Sequence, residues 1–220
     1  MQKNTAVLFG STGLTGSCLL NKLIEDSSFK NLVVVSRKKT TFRHKKISSK
    51  IIDFSNVKEI EDCISKDSIV FSCIGTTQSQ VNGDKKKYKE IDFDITVNIA
   101  RACQKLGAKK FLFISSGGAK SSNANFYLKL KGEIEDSVIN IFNKSLFIFK
   151  PSLLIGKRKN LRFIESIGQI IMPLFSYLLP RSIKAVKAST VANAMINFSK
   201  SRLKNIHIIE NQQILNYSYK

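Results

Sequence analysis

The chain has 220 residues, 43% of them apolar, so it can bury a sizeable core and fits one large α/β domain better than two independent domains. Its 36 Lys and Arg against 16 Asp and Glu give a formal net charge of +20, which would attract anionic ligands, nucleic acid or membrane surfaces. The basic residues are spread along the whole chain, as a genome-wide composition bias would also produce, and no helix-turn-helix, zinc-finger or aromatic RNA-binding motif is visible. No specific nucleic-acid partner is therefore expected.

The cysteines and histidines do not form a metal-binding pattern. The two histidines, His44 and His207, are far apart and have no acidic or cysteine neighbour at ligand spacing, so no metal site is predicted. The four cysteines lack a C-x-x-C pair and fall in segments with the pattern of buried helix or strand: Cys18, Cys63, Cys73 and Cys103. This placement favours structural thiols over a disulfide.

Short β-rich runs alternate with longer amphipathic stretches. Six runs predict strands: Thr5–Phe9, Leu32–Ser36, Lys50–Asp53, Ser68–Cys73, Lys110–Ser115 and Ser145–Lys150. Helical spacing of apolar residues predicts helices at Leu14–Glu25, Lys86–Leu106, Ala124–Phe142 and about Ser189 to Lys200. The alternation predicts an α/β fold of the Rossmann type, a doubly wound parallel sheet with helices on both faces. One domain over residues 1–220 is expected, with a nucleotide-binding core in 1–150 and substrate-side and C-terminal elements in 151–220.

A glycine-rich turn follows the first predicted strand directly. Gly10, Gly13 and Gly16 form a G-x-x-G-x-x-G run that opens the first helix. In dinucleotide-binding folds the first glycine permits a sharp turn, the second lets the backbone approach a pyrophosphate, and the third allows close packing of the helix. The N–H groups and dipole of the helix N-terminus also favour phosphate. The run predicts a dinucleotide site, and an ordinary strand-to-helix turn is the alternative.

The end of the second strand bears on which dinucleotide binds. Roughly twenty residues after the glycine loop, where an NAD site places an acidic residue for the ribose 2′-hydroxyl, the chain has Arg37 and Lys38. A guanidinium suits a 2′-phosphate, so NADPH or NADP is favoured over NADH or NAD, with a solvated basic loop as the alternative. Four further positions at strand ends are expected to line the cofactor: Asp53 and Phe54 against the adenine, and Gly75 and Thr76 between the ribose and the nicotinamide.

A tyrosine and a lysine lie four residues apart in the helix predicted after the fifth strand. This spacing puts the phenol of Tyr127 and the ammonium of Lys131 on one helix face. A nearby cation makes a phenol a usable proton donor or acceptor, and the lysine can also hold ribose hydroxyls. A serine from the preceding strand end, Ser115 or Ser116, could orient a substrate carbonyl, and Gly132 permits close approach to cofactor or sheet. An exposed Tyr–Lys pair arising by chance in a lysine-rich chain is the alternative.

Four segments in order along the chain carry a family resemblance: GSTGLTG, CIGTT, ISSGGAKSS and FYLKLKGEIE. From Ala6 to about Asn197 the sequence resembles the atypical short-chain dehydrogenase/reductase superfamily, above all its NADPH-binding, HTATIP2-like oxidoreductases. The resemblance implies that three further residues join the glycines at the pyrophosphate: Thr12, Leu14 and Thr15.

The resemblance also implies roles for the catalytic residues. Tyr127 would transfer the proton, Lys131 would be its partner and a ribose ligand, and Ser116, ahead of Ser115, would orient the carbonyl. The sixth strand would end beside the nicotinamide at Pro151 and Ser152. We therefore expect an NADPH-dependent oxidoreductase, a monomer or homodimer, that moves a hydride to or from a small carbonyl or alcohol substrate. The alternatives are a non-catalytic NADPH-binding regulatory or scaffold protein and, less favoured, a nucleotide-sugar epimerase or dehydratase.

Two segments bear on targeting and membranes. The first residues enter the Thr5–Phe9 strand without the basic and apolar regions of a signal peptide, so a cytoplasmic location is expected. The apolar run Phe163–Leu179 contains Glu165, Gln169 and Pro173 and falls short of the ~20 apolar residues that cross a bilayer. The run predicts a packed helix, with a peripheral membrane contact as the alternative.

Overall fold

The computed structural model describes residues 4–156 and 180–218. The strands are β1 (Asn4–Phe9), β2 (Phe29–Ser36), β3 (Ile47–Ile51), β4 (Ile69–Ser72), β5 (Lys110–Ile114), β6 (Ser145–Lys150), β7 (Leu154–Ile155), β8 (Val186–Lys187) and β9 (Asn205–Glu210). The α-helices are α1 (Leu14–Glu25), α2 (Val57–Glu61), α3 (Lys85–Lys89), α4 (Ile95–Leu106), α5 (Phe126–Ile141), α6 (Ala188–Lys200) and α7 (Asn211–Leu215). A 3₁₀ turn covers Gln78–Val81, and a π-helical segment, Glu90–Asp94, joins α3 to α4.

Seven strands form one parallel sheet in the order β3-β2-β1-β4-β5-β6-β9. The chain winds outward from β1 in one direction through β2 and β3, then returns to β4 and winds in the other direction. This reversal lies between β1 and β4, and ligands of doubly wound sheets bind outside the carboxyl ends of the strands at such a point. The predicted Rossmann-type fold is confirmed.

Helices cover both faces of the sheet. In β1, Val7 and Phe9 belong to the core beneath α2, α4 and α5, whereas Ala6 and Leu8 belong to the core beneath α1 and α6. Successive side chains of a strand point to opposite faces, so a strand buried on both sides has a continuous apolar run. This burial explains why the central strands were visible in the sequence.

The bounds of several predicted elements differ from those in the structure. The strand predicted at Lys50–Asp53 is Ile47–Ile51, because the register is set by pairing with β2, from Leu32↔Ile47 to Ser36↔Ile51, and the half-exposed β3 side chains give little apolar signal. The single helix predicted at Lys86–Leu106 is three segments, since the π-helical turn interrupts it. The helix predicted at Ala124–Phe142 is Phe126–Ile141, with Asn125 capping its N-terminus.

The C-terminal part of the chain completes the sheet. Strand β9 pairs in parallel with β6 from Ser145↔Asn205 to Lys150↔Glu210, and neither it nor the short helices α2 and α7 was predicted. Only Ile209 of this edge strand is buried, although Ile206 and Ile208 give its sequence a β-branched pattern that was available as a signal. Residues 151–220 therefore include part of the main sheet. The predicted helix over Phe163–Leu179 lies outside the described residues; within them, no helix has the length and apolar character needed to cross a membrane.

A buried charged network ties β5, α5 and β6 together. Lys150 Nζ donates to Glu135 Oε2 and to the Ala119 carbonyl oxygen, both at 2.9 Å, and the Ser115 hydroxyl donates to Glu135 Oε1. Burial raises the pKa of Glu135, and the bonds from Ser115 and Lys150 offset only part of that effect. The carboxylate thus depends on its cation.

We predict that Lys150→Met lowers the free energy of unfolding by about 3–5 kcal/mol at pH 7, because it leaves a buried carboxylate without a counter-ion. Since the pKa of Glu135 is raised above its ordinary 4.5 in the folded state, the loss should shrink as the pH falls toward 4.5 and the carboxylate is protonated. The control is Lys129→Met, whose exposed ammonium is 4.0 Å from Glu133 and should contribute less than about 1 kcal/mol. Urea unfolding followed by circular dichroism measures both, and equal losses would contradict the prediction.

Candidate active site

Two glycines of the glycine-rich run, Gly10 in the turn after β1 and Gly16 in the first turn of α1, are required by backbone packing. Gly10 has φ +82°, and a Cβ there would lie 2.6 Å from the carbonyl carbon and oxygen of Cys73 at the end of β4. A Cβ on Gly16 would lie 2.0 Å from the Gly10 carbonyl oxygen. The first glycine therefore permits the turn, and the third lets α1 pack directly on that turn.

Gly13 differs because the fold leaves room for a side chain there. It is the N-cap of α1, and a Cβ would come no closer than 3.4 Å to protein atoms, at the Gly10 carbonyl oxygen. Within the described part of the chain, no side chain caps this helix N-terminus. The hydroxyl of Ser11, two residues earlier in the same loop, is buried and has no hydrogen-bond partner among the described residues. Uncapped N–H groups and an unpaired hydroxyl beside a glycine that packing does not require fit a pyrophosphate.

The other residues assigned to the pyrophosphate by resemblance surround this loop. Thr12 is exposed, and Thr15 is buried in the first turn of α1. The Leu14 side chain packs against Gly156, where a Cβ would come within 2.8 Å of Leu14 Cδ1. Leu14 therefore connects the glycine loop with the chain that follows β7.

Two of the residues predicted for the adenine end, Arg37 and Asp53, line an open cleft of roughly 430 Å³. Its lining consists of Arg37, Ile51, Ile52, Asp53 and Glu59. The backbone N–H of Ser55 donates to Asp53 Oδ1 at 2.9 Å, which lowers the pKa of that carboxyl, and Glu59 Oε2 accepts from the Asp53 backbone N–H at 2.9 Å. Arg37 and Lys38 are both exposed.

Phe54 occupies a different place from its predicted neighbour Asp53. Its side chain is buried and meets the ring of Phe9 edge-on, with centroids 6.2 Å apart. The ring therefore belongs to the core, and the backbone is the part of Phe54 that a nucleotide could contact.

Tyr127 and Lys131 come together on α5 as their spacing predicts. Lys131 Nζ lies 5.9 Å from the centroid of the Tyr127 ring. That ring is half-buried and meets Tyr88 of α3 edge-on, with centroids 6.2 Å apart. The Tyr127 ring therefore contacts both the Lys131 cation and the Tyr88 ring.

Asp92 is the site residue that sequence analysis missed. Its fully buried carboxylate lies in the π-helical segment, with Oδ2 2.7 Å from Lys131 Nζ, and Oδ1 accepts the backbone N–H of Thr76 at 2.7 Å. Burial acts to lower the pKa of Lys131, but the charge of Asp92, with contributions from Tyr127 and Glu135, leaves it raised. An available signal was a carboxylate within the apolar stripe formed by Tyr88, Ile95 and Ile99.

The loop after β4 lies against this ion pair. Tyr88 donates its hydroxyl hydrogen to the Thr76 carbonyl oxygen at 2.9 Å. A Cβ on the exposed Gly75 would stand 3.8 Å from Asp92 Oδ2 and 3.9 Å from Lys131 Nζ. The predicted path from ribose to nicotinamide therefore passes directly over the Lys131 ammonium.

The two candidate serines have different surroundings. The Ser115 hydroxyl is committed to Glu135 inside the buried network. Ser116 is half-buried, and its hydroxyl makes one long contact, 3.3 Å to the Gly117 carbonyl oxygen. The Ser116 hydroxyl would give up only this one long contact to bind a substrate oxygen, so Ser116 is the better candidate of the two.

The remaining predicted residues brace the strand ends. The Pro151 carbonyl oxygen accepts the Gly117 N–H at 2.7 Å, while Ser152 donates its N–H to Asn211 Oδ1 at 3.0 Å and its hydroxyl to the Lys184 carbonyl oxygen. Gly132 was expected to permit close approach to cofactor or sheet. It instead admits the preceding loop, since a Cβ there would lie 2.2 Å from Lys120 C and Ser121 N.

Comparison with known proteins identifies the family. Residues 10–140 match the NAD(P)H-binding family, a stretch that contains both the glycine loop and the Tyr127–Lys131 pair. The chain belongs to this NAD(P)H-binding family. The predicted membership of the atypical short-chain dehydrogenase/reductase superfamily is thereby confirmed.

Individual proteins show the same relationship. HTATIP2 of Rattus norvegicus is 28% identical over 222 residues, covering 98% of this chain and 89% of the rat protein. The mitochondrial protein FMP52 of Meyerozyma guilliermondii is 37% identical over 155 residues, covering 70% of this chain and 66% of the yeast protein. The structure of MoeE5 with UDP-glucose and NAD has a TM-score of 0.70 at 14% identity, covering 94% of this chain and 75% of MoeE5. At that identity the likeness shows the fold alone.

We predict that Gly13→Ala weakens NADPH binding tenfold or more, about 1.4 kcal/mol, because the methyl group occupies the approach to the pyrophosphate. The free energy of unfolding should change by only about 1 kcal/mol, since the Cβ finds room. Gly16→Ala is the contrasting variant: its Cβ overlaps the Gly10 carbonyl, so a loss of roughly 3 kcal/mol or more is expected. Nucleotide fluorescence titration and urea unfolding measure the two effects. An unchanged NADPH affinity in Gly13→Ala would contradict the prediction that the glycine loop binds the pyrophosphate.

Proposed function

We propose that this protein is an NADPH-dependent oxidoreductase that transfers a hydride between the nicotinamide and a small carbonyl or alcohol. The observation that carries the proposal is the pairing of Tyr127 with the buried Lys131 ammonium. This pair lies next to the loop after β4, which contacts the glycine loop at Cys73. Bound NADPH would supply the hydride, and the protein would supply the proton and the geometry.

Three side chains of the site have separate roles in this proposal. During reduction, Tyr127 donates its phenolic proton to the carbonyl oxygen, and during oxidation it takes a proton from the alcohol. The Lys131 cation stabilises the phenolate and donates hydrogen bonds to the ribose hydroxyls. The Ser116 hydroxyl donates to the substrate oxygen and holds the carbonyl in reach of Tyr127. The substrate would lie at the carboxyl ends of β5 and β6, beside these side chains.

The charge at the end of β2 supports NADPH over NADH. An NAD-specific site holds an acidic residue there, whereas this chain has Arg37 facing the cleft shared with Asp53. A guanidinium can donate two parallel hydrogen bonds to a 2′-phosphate. The NAD in the MoeE5 structure does not decide the nucleotide of this chain, because the two proteins share only the fold.

We predict that wild-type protein binds NADPH more tightly than NADH, and that Arg37→Gln lowers NADPH affinity about tenfold to a hundredfold while leaving NADH affinity within about threefold. The loss corresponds to roughly 1.5–3 kcal/mol for a charge-assisted hydrogen bond. Arg202→Gln, an equal charge change at an exposed position after α6, is the control. The fluorescence titration should be run at low and physiological salt, because the net positive charge attracts anions nonspecifically. Equal binding of NADH and NADPH by the wild type would overturn the NADPH assignment.

A non-catalytic NADPH-binding regulatory or scaffold protein is the second candidate. The names of the rat and yeast relatives state no reaction, which favours keeping this candidate.

A cytoplasmic location and a monomeric or homodimeric state remain part of the first proposal, although the yeast relative is named as mitochondrial.

We predict that Tyr127→Phe lowers the rate of NADPH oxidation with a panel of small aldehydes, ketones and quinones by about 10²–10⁴-fold, because the proton donor is lost. NADPH affinity should stay within about threefold of wild type. Tyr217→Phe, on the opposite face of the sheet, makes the same chemical change away from the site and serves as control. A wild type that binds NADPH but oxidises it with no panel member, with Tyr127→Phe functionally silent in cells, would favour the regulatory protein.

A further inference from the structure

The Asp92 carboxylate connects three parts of the candidate site. One oxygen accepts the Thr76 backbone N–H at 2.7 Å, and the other lies 2.7 Å from Lys131 Nζ. Among the described residues the ammonium is the sole polar partner of that second oxygen. Tyr88, one turn before Asp92, donates to the carbonyl oxygen of the same Thr76. Helix α3 and the π-helical segment are therefore both fastened to the loop after β4, through the carbonyl and the N–H of the same residue, Thr76.

The ion pair between Asp92 and Lys131 is almost completely buried. Asp92 is fully buried, and the Lys131 side chain retains 7% exposure. A buried ammonium would ordinarily lose its proton more readily, because burial disfavours charge. An adjacent carboxylate reverses that tendency, and Lys131 has no other acidic side chain at ion-pair distance among the described residues. Asp92 thus fixes both the position and the charge of Lys131.

Resting on the proposed function, we infer that Asp92 is a positioning residue that holds the Lys131 ammonium, as a cation, beneath Gly75 and beside Tyr127. It acts through Lys131 and contacts neither the nicotinamide nor the substrate. Asp92 lies in a π-helical segment, and such segments are frequent at functional sites.

The charge state gives a test that needs no cofactor. Three further titratable groups face the Asp92–Lys131 pair: Tyr127 and Glu135 from α5, and Tyr88 from α3. In the wild type the pKa of Lys131 is raised above its ordinary 10.5, so the stability gained from the pair is fully present below pH 10.5. In Asp92→Asn, burial prevails and the pKa of Lys131 falls below 10.5. The folded variant then gains relative stability as the pH rises.

The experiment compares urea unfolding midpoints of Asp92→Asn and the control Asp94→Asn between pH 7 and pH 10. Asp94 lies in the same π-helical segment but is exposed. The gap between the two midpoints should narrow as the pH rises. Asparagine can still accept the Thr76 N–H, so a purely structural role would leave a gap that does not change with pH, and that result would overturn the inference.

A double variant covers the case in which Asp92→Asn does not fold. Removing both charges, Asp92→Asn with Lys131→Met, should restore folding and abolish the pH dependence. A double variant as unstable as Asp92→Asn at every pH would contradict the inference.

A second arm uses NADPH as the probe. From pH 7 to pH 9.5 the NADPH affinity of Asp92→Asn should fall at least tenfold more than that of Asp94→Asn, because a neutral Lys131 no longer attracts the anionic nucleotide. A parallel fall in both variants would overturn the inference while leaving the proposed function standing. If the wild type binds no NADPH, the proposed function fails, and the unfolding experiment alone decides whether Asp92 controls the charge of Lys131.

Discussion

The rest of the site depends on the close backbone contact between the glycine loop and the end of β4. Gly10 meets the Cys73 carbonyl, and α1 crosses directly over Gly10 because Gly16 has no side chain. This contact fixes where the α1 N-terminus points and how far the loop after β4 lies from it. Gly75 and Thr76 follow Cys73 within a few residues, so the same contact positions the backbone that passes over Lys131. The two loops that we propose to bind the dinucleotide are thereby held at a fixed distance from each other.

Helix α5 provides the other fixed reference. Tyr127, Lys131 and Glu135 are spaced four residues apart and form one stripe on its surface. Each has a partner from a different element: Tyr88 packs on Tyr127, Asp92 pairs with Lys131, and Lys150 pairs with Glu135. Two of these pairs are buried charges, which constrain geometry more than apolar contacts do because they require particular atoms to meet. The rotation of α5, and with it the direction of the Tyr127 ring, is therefore constrained by the two buried charge pairs at Lys131 and Glu135, about one and two turns further along the helix.

Sequence reasoning succeeded where a local pattern and the tertiary structure agree. The bounds of α1 and β6 were predicted without error, since α1 starts at the glycine loop and β6 is buried on every residue. The Tyr127–Lys131 pair was visible because helical spacing alone brings i and i+4 together. Strand β9 was missed although Ile206, Ile208 and Ile209 are a usable β-branched signal, and only Ile209 of these is buried. The distinction between Ser115 and Ser116 also required tertiary information, since it depends on Glu135, twenty residues further along the chain.

Asp92 shows why the remaining part of the site could not be derived from sequence. A carboxylate in the middle of a long amphipathic pattern is read as one polar residue on a helix, and no local rule gives it a partner at Lys131, 39 positions away. Buried ion pairs contribute little net stability compared with well-packed apolar residues, so selection for stability alone gives no reason to place one there. An apolar pair at these positions would pack α5 against the π-helical segment equally well but would leave no cation beneath Gly75. Burying the two charges costs stability, and this cost is understandable if the ion pair serves to hold Lys131 in one position and one protonation state.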